Sequence, residues 1–203
     1  MITIIDLGLG NVGSIKNMIH RLGKYSLITN KAEDVNKATK LILPGIGTFD
    51  NAMSKLNSLG LKEELEHKVL HEKVPILCIC LGMQLLAKGS EEGNMTGFGW
   101  ISGYVKKFSL NNILKIPHMG WNNIAVKKDS ILFNCSVEEE KRFYFVHSFH
   151  FVCENEEDVL CTSHYGHEFT AAVEKNNIYA TQFHPEKSHK YGLDLFNSFT
   201  SLE

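Results

Sequence analysis

Apolar positions in the first half of the chain fall into two alternating patterns. Short apolar runs at 2–5, 25–29, 41–43 and 75–79 read as buried strands. Between them, apolar residues recur at helical spacing. Val12, Ile15, Ile19 and Leu22 mark one helix, closed by Gly23; Phe49, Ala52, Met53 and Leu56 mark another; Leu61, Leu65, Val69 and Leu70 mark a third. A further helix is predicted over 81–88. Strand alternating with helix predicts a mostly parallel sheet covered on both faces. After Gly97 the pattern changes. Segments 104–108, 123–126, 143–152, 159–164, 169–174 and 178–183 all read as strands with few helical stretches between them, which predicts a mixed or antiparallel β extension. A last helix carries Tyr191, Leu195, Phe196 and Phe199 on one side. There is no internal repeat, linker or low-complexity tract, so residues 1–203 read as one domain.

Composition narrows the function classes. The chain is 43% hydrophobic and 22% charged, which excludes a disordered chain, a collagen and a coiled coil. A net charge of -2 gives no electrostatic reason to expect nucleic acid or an anionic membrane as partner. The longest strongly apolar run, 74–83, is too short to span a bilayer, and the N-terminus reads as a strand, not a signal peptide. The five cysteines (Cys78, Cys80, Cys135, Cys153, Cys161) are an odd number, which suggests free thiols in a reducing cytoplasm.

The sharpest chemical signal is Cys80, at the junction where strand 75–79 meets the next helix. A nucleophile on so tight a turn needs small residues two positions to either side, and Cys78 and Gly82 stand there. A thiol at a helix N-terminus is also biased toward its thiolate. Both cysteines fit equally as small core fillers. A second signal is Thr181-Gln182-Phe183-His184-Pro185-Glu186, where His184 and Glu186 offer a base and a group to fix its tautomer. Alone, a loop His beside a Glu is ordinary surface polarity; beside a candidate Cys nucleophile it acquires a role. Third, Pro44-Gly45-Ile46-Gly47-Thr48 follows a buried strand and brings backbone N–H groups near a ligand; one of them and the Leu81 N–H form a candidate oxyanion pair.

Two further patterns compete. Gly8-Leu9-Gly10-Asn11-Val12-Gly13 matches GxGxxG, but the second strand ends at Thr29-Asn30 with no acid to hold a ribose. His147 with His150, His164 with His167, and Cys78 with Cys80 invite a metal reading, yet none has paired CxxC or HExxH form. Neither a metal nor a cofactor is expected.

Taken together, Cys80-Leu81-Gly82-Met83-Gln84 and His184-Pro185-Glu186 resemble the motifs of the class I (triad-type) glutamine amidotransferases. Asp6-Leu7-Gly8-Leu9-Gly10-Asn11, Leu43-Pro44-Gly45-Ile46-Gly47, Lys115-Ile116-Pro117-His118-Met119-Gly120-Trp121-Asn122 and Phe143-Tyr144-Phe145-Val146-His147-Ser148 are similar to segments of the HisH family, the glutaminase subunits of imidazole glycerol phosphate synthase. The resemblance covers essentially the whole chain. It implies a flavodoxin-like α/β sandwich that hydrolyses glutamine through a cysteinyl thioester. Cys80 would be the nucleophile, His184 the base and acid, and Glu186 its orienter, with the Ile46 and Leu81 N–H groups as oxyanion hole. Gly45, Gln84, Glu92, Ser148 and Phe149 would hold the glutamine. Asn11, His118, Met119, Trp121 and Tyr144 would face a (β/α)8-barrel partner of the HisF type, which takes the ammonia. Cys78 stands where the family usually has glycine, Leu7 where it usually has tyrosine, and Phe149 where tyrosine is common. Two further functions stay open on these residues: a paralogue feeding ammonia to a sugar amidotransferase for surface polysaccharide, and a cysteine peptidase or chaperone on a related α/β fold.

Overall fold

The computed structural model of the chain describes residues 1–110, 114–133 and 141–202; Cys135 lies outside them. Among the described residues, eleven strands join in one sheet network. Its first part is β1 (Ile2–Ile5), β2 (Ser26–Thr29), β3 (Lys40–Gly45) and β4 (Ile76–Cys80), joined in space by β11 (Ile178–Thr181). The order β2-β1-β3-β4-β11 is parallel throughout. That is the doubly wound flavodoxin-like order, in which ligands gather beyond the carboxyl ends of the strands.

Helices cover both faces, as the periodicity predicts. On one face lie α1 (Val12–Arg21) and α6 (His189–Thr200), packed on a core that includes Ile4, Ile15, Ile19, Leu77, Ile79, Leu195 and Phe196. On the other lie α2 (Ala32–Asn36), α3 (Phe49–Ser58) and α4 (Leu61–Glu66), with Ile5, Leu43, Phe49, Met53, Leu65 and Ile76 between them and the sheet. Asn11 caps α1: its side-chain oxygen accepts the Ser14 N–H at 3.1 Å. The predicted third helix continues past α4 as a π turn over His67–His71, which keeps Val69 buried while Leu70 faces out.

Three expected boundaries shift and one helix goes unforeseen. Tyr25 lies outside β2 and is exposed. Helix α2 escapes notice because its five residues bury only Val35, too few for a period. The helix expected over 81–88 is only α5 (Leu81–Gln84). Its continuation is lost because the carbonyls of Leu85 and Ala87 accept the Phe98 and Gly99 N–H groups, at 2.8 and 3.1 Å. The strand expected over 143–152 is two, β7 (Lys141–His147) and β8 (Phe149–Cys153). The chain changes partner at Ser148: β7 pairs with β6, β8 with β5.

The second half is antiparallel, as expected. β10 (His167–Lys175) carries β11 and β8 along one edge and β9 (Val159–Tyr165) along the other. β6 begins earlier than 123, spanning His118–Val126, and pairs with β9 and β7; β5 (Gly103–Lys107) pairs with β8. Among the described residues, no helix is long and apolar enough to cross a membrane.

Candidate active site

The parallel strands bring the sequence-predicted chemistry to one end of the sheet. β4 ends on Cys80, and Gly45 is its register partner on β3. The chain runs from β11 through Gln182 and Phe183 to His184 and a 3-10 turn at Pro185–Lys187.

Cys80 is held in a strained conformation, φ 55 and ψ -107, which L side chains rarely adopt. Alternation along β4 would send Cys80 to the same side as Ile76 and Cys78. The positive φ instead turns it into the core of Leu77 and Ile79, toward His184. Gly82 makes this turn possible: a Cβ there would sit 2.0 Å from the Leu43 carbonyl oxygen. Cys78, the departure from the usual glycine, fits. It is wholly buried between sheet and helices, and burial pushes its thiol well above the ordinary range. The helix behind Cys80 has one turn, so its dipole contributes less than a full helix would.

His184 and Glu186 converge across Pro185. Nδ1 of His184 lies 2.7 Å from Oε1 of Glu186, and both side chains are buried. With Nδ1 held by Glu186, Nε2 is the nitrogen left free. It has no hydrogen-bond partner of good geometry, but the Cys80 sulfur is close enough to govern its charge. Burial lowers the His184 pKa. The Cys80 sulfur, by charge and hydrogen bonding, and then Glu186 outweigh that and push it up to about 10. The arrangement suits an imidazolium at His184 facing the sulfur. Two contacts from the start of α6 hold the turn. The Ser188 hydroxyl donates to the His184 carbonyl at 2.7 Å, and Gly192 of α6 lies so near Pro185 that a Cβ would meet its carbonyl oxygen at 1.7 Å.

The other expected residues divide. Gly45 lies against Leu81, its hypothetical Cβ 3.2 Å from that of Leu81. The Ile46 N–H, expected to be an oxyanion donor, donates instead to the Leu9 carbonyl at 3.2 Å. Glu92 accepts the Phe49 N–H at 2.8 Å and so caps α3 beside the glycine loop. Gln84 is buried, its Nε2 donating to the Phe149 carbonyl at 3.1 Å and to Gln182 Oε1 at 3.0 Å. Ser148 and Phe149 are half-buried at the break between β7 and β8. Gln182 is not among the residues the sequence points to, yet its Nε2 donates to the Cys80 sulfur at 3.6 Å. Its position two residues before His184 was the available signal.

The expected partner face is corrected at one position. Met119 is 62% exposed and Trp121 40%, while Tyr144, the cross-strand neighbour of Trp121, is half-buried. His118 is only 3% exposed and does not face outward. Alternation along β6 explains it: Met119 and Trp121 share one face, and His118 takes the other. There it stacks on Tyr165 and Phe145, and burial lowers its pKa to about 4. Asn11 is exposed at the start of α1.

The two competing patterns lie in the following surroundings. The turn at Gly8 is held by Asp6, which accepts the Gly8 N–H at 2.8 Å, and by Lys55 of α3, which donates to the Leu7 carbonyl at 2.8 Å. Among the described residues there is no group of three or more His, Cys, Asp or Glu placed to hold a metal ion.

A family model for glutamine amidotransferase class-I matches residues 3–200. The chain is 53% identical, over 98% of both chains, to imidazole glycerol phosphate synthase subunit HisH 2 of Methanococcus maripaludis. It is 45% identical, over the full length of both, to the HisH subunit of Bdellovibrio bacteriovorus. Among solved structures it superposes on a glutamine amidotransferase with a TM-score of 0.72 at 20% identity, covering 97% of this chain and 98% of that one.

Proposed function

The chain belongs to the class I glutamine amidotransferase family, and we propose that it is the glutaminase subunit of an imidazole glycerol phosphate synthase in histidine biosynthesis. In this reading residues 1–203 form one glutaminase domain, working in the cytoplasm. It converts L-glutamine to glutamate and ammonia, and passes the ammonia to a HisF-type (β/α)8-barrel cyclase. The observation that carries the chemistry is the strained Cys80 facing a His184 whose other nitrogen is held by Glu186 at 2.7 Å.

The steps follow from that geometry. The Cys80 thiolate attacks the side-chain carboxamide carbon of glutamine, and a C–S bond forms as the carbonyl electrons move to oxygen. His184, protonated at Nε2, gives that proton to the amide nitrogen. The C–N bond breaks and ammonia leaves a thioester. Neutral His184 then takes a proton from water, hydroxide adds to the thioester carbon, and glutamate departs as the sulfur regains its electrons. Glu186 holds the ring and its charge through both halves. Leu81 N–H is one oxyanion donor. Ile46 N–H becomes the second only when its bond to Leu9 opens, and Gly45 and Gly47 flank it for that movement. Gln84, Glu92, Ser148 and Phe149 border the glutamine, and Asn11, Met119, Trp121 and Tyr144 lie toward the barrel.

The test is glutamate release by the purified chain, alone and with a HisF-type barrel and its nucleotide substrate. Basal hydrolysis is slow and rises with the partner. Cys80→Ala abolishes it, and a diazo-ketone glutamine analogue labels Cys80 alone. An adduct mapped to Cys78, or activity surviving in Cys80→Ala, sinks the reading.

The other acceptor left open by the sequence is a sugar amidotransferase for surface polysaccharide. Growth of a histidine auxotroph lacking its own HisH, on introduction of this chain, separates the two.

A further inference from the structure

Gln182 lies in the segment that carries His184, but no step of the reaction above uses it. It is wholly buried, so it offers no surface to a bound substrate. Its backbone is pinned, the N–H donating to the Ala171 carbonyl at 2.8 Å. Its side chain bridges two residues from other elements: Oε1 accepts from Gln84 of α5, and Nε2 donates to the Cys80 sulfur.

The direction of this bridge is fixed by hydrogen-bond chemistry. Gln84 Nε2 has two hydrogens. One goes to the Phe149 carbonyl, which only accepts, and the other to Gln182. Flipping the Gln84 amide would set its oxygen against the Phe149 carbonyl oxygen. Gln84 therefore presents a donor to Gln182, and Gln182 answers with its oxygen. Its NH2 group is left facing the sulfur. The chain Phe149–Gln84–Gln182–Cys80 has one polarity, and it ends as an N–H dipole aimed at the sulfur.

We infer that Gln182 is a positioning residue for the nucleophile: it holds the Cys80 sulfur in place and favours its thiolate form. This rests on the reading of Cys80 as nucleophile. A hydrogen bond donated to the charged form of an acid favours that form. His184 serves the sulfur by charge but must give its proton away during the reaction. Gln182 keeps its donor throughout, so the sulfur retains one partner when the imidazole is neutral. The bond is strongest to the thiolate and weakest to the thioester sulfur, the order that assists attack and weakens as the sulfur is acylated.

The experiment is the pH dependence of Cys80 alkylation by iodoacetamide, read by mass spectrometry of the Cys80 peptide, with glutaminase kcat and KM on the same preparations. In Gln182→Met the alkylation midpoint moves up by about one pH unit, or about tenfold less thiolate at a given pH below it. The kcat falls by about tenfold, and KM stays within about twofold. Gln182→Glu keeps the size and the acceptor that Gln84 needs. As a carboxylate it opposes the thiolate and moves the midpoint at least as far. An unchanged midpoint in both folded variants overturns the inference. So does a rise in KM alone, which would make Gln182 a substrate contact. Loss of folding in both would make it a packing residue and overturn it equally. Activity persisting in Cys80→Ala is a different failure, that of the nucleophile assignment itself.

Discussion

The N–H of His184 donates to the carbonyl of Tyr144 at 2.8 Å, so the proposed base hangs from strand β7. Ser188 completes the tie, its Oγ accepting the Tyr144 N–H at 3.0 Å while donating to the His184 carbonyl. Across the ladder from Tyr144 stands Trp121, whose ring lies flat on His189 at 5.5 Å and 7°. The exposed aromatic face and the reacting imidazole are thus joined through a single strand residue.

Trp121→Ala separates docking from folding. At 40% exposure the ring is not a core anchor. The thermal midpoint is expected within a few degrees of wild type, with basal glutamine hydrolysis little changed. Binding to a HisF-type barrel weakens by about 2 kcal/mol, roughly 30-fold, as for an aromatic anchor at an interface centre. Titration calorimetry against the barrel checks this. Unaltered affinity would remove Trp121 from the interface, and a large fall in thermal midpoint would make it structural.

Two glycines are expected to tolerate no side chain, and a third to accept one. Gly82→Ala sets a Cβ 2.0 Å from the Leu43 oxygen, and Gly192→Ala sets one 1.7 Å from the Pro185 oxygen; both neighbours are backbone. Each variant should lose several kcal/mol of stability, on the order of 10 °C in thermal midpoint, together with glutaminase activity. Gly13, inside the GxGxxG pattern, meets only Asn11 Oδ1 at 3.7 Å on helix α1. Gly13→Ala should stabilise by about 0.5–1 kcal/mol at full activity. Thermal melts of the three proteins test the set, and a stable Gly82→Ala would mean that the turn at Cys80 is not as tight as described.

Much of this was legible in the sequence. The parallel half is legible because its inner strands are buried on both faces and each long helix carries an apolar stripe. Cys80, His184 and Glu186 stood out through the motifs around them. His118 departs from the expected docking segment because period-2 alternation divides that segment, sending Met119 outward and His118 in. Gln182 has no local signature, as a buried amide has none: its partners, Gln84 and Cys80, lie 98 and 102 residues away in sequence. The Leu9–Ile46 bond was equally invisible, since backbone pairing between loops leaves no trace in side-chain types.

Glu186→Gln should be damaged but not dead. Glu186 orients His184 through Nδ1 and carries no proton in the reaction, so its amide should retain on the order of 10–100-fold more activity than His184→Ala or Cys80→Ala. The charge that helps push His184 up is gone, so the imidazole loses its proton at lower pH than in wild type. Imidazole titration followed by NMR at natural pH steps reads this directly. A Glu186→Gln protein as inactive as Cys80→Ala, yet folded, would require Glu186 to do more than orient.

Acid should destabilise the fold through three buried histidines. His118 Nδ1 lies 2.9 Å from His147 Nε2, and His147 Nδ1 lies 2.8 Å from the Phe149 carbonyl, which only accepts. His147 is therefore protonated on Nδ1, and His118 donates to it from its own Nδ1; both rings are neutral. Burial lowers His118 and His150 to about 4 and His147 to about 3. The unfolded rings titrate near 6.5. Between those values the unfolded chain binds more protons, so stability is complete above about pH 6.5 and is lost as pH falls toward 4. His184 has the opposite sign: its contribution is complete below about pH 6.5 and is lost as pH rises toward 10. The three neutral rings dominate on the acid side, and the thermal midpoint should drop by on the order of 5–10 °C between pH 7 and pH 5. His150→Phe isolates the cause. His150 Nδ1 has no hydrogen-bond partner to lose, and its neighbours Phe108 and Phe169 are already aromatic. The variant should match wild type at pH 7 and fall less steeply toward pH 5, and an equally steep fall would place the acid sensitivity elsewhere.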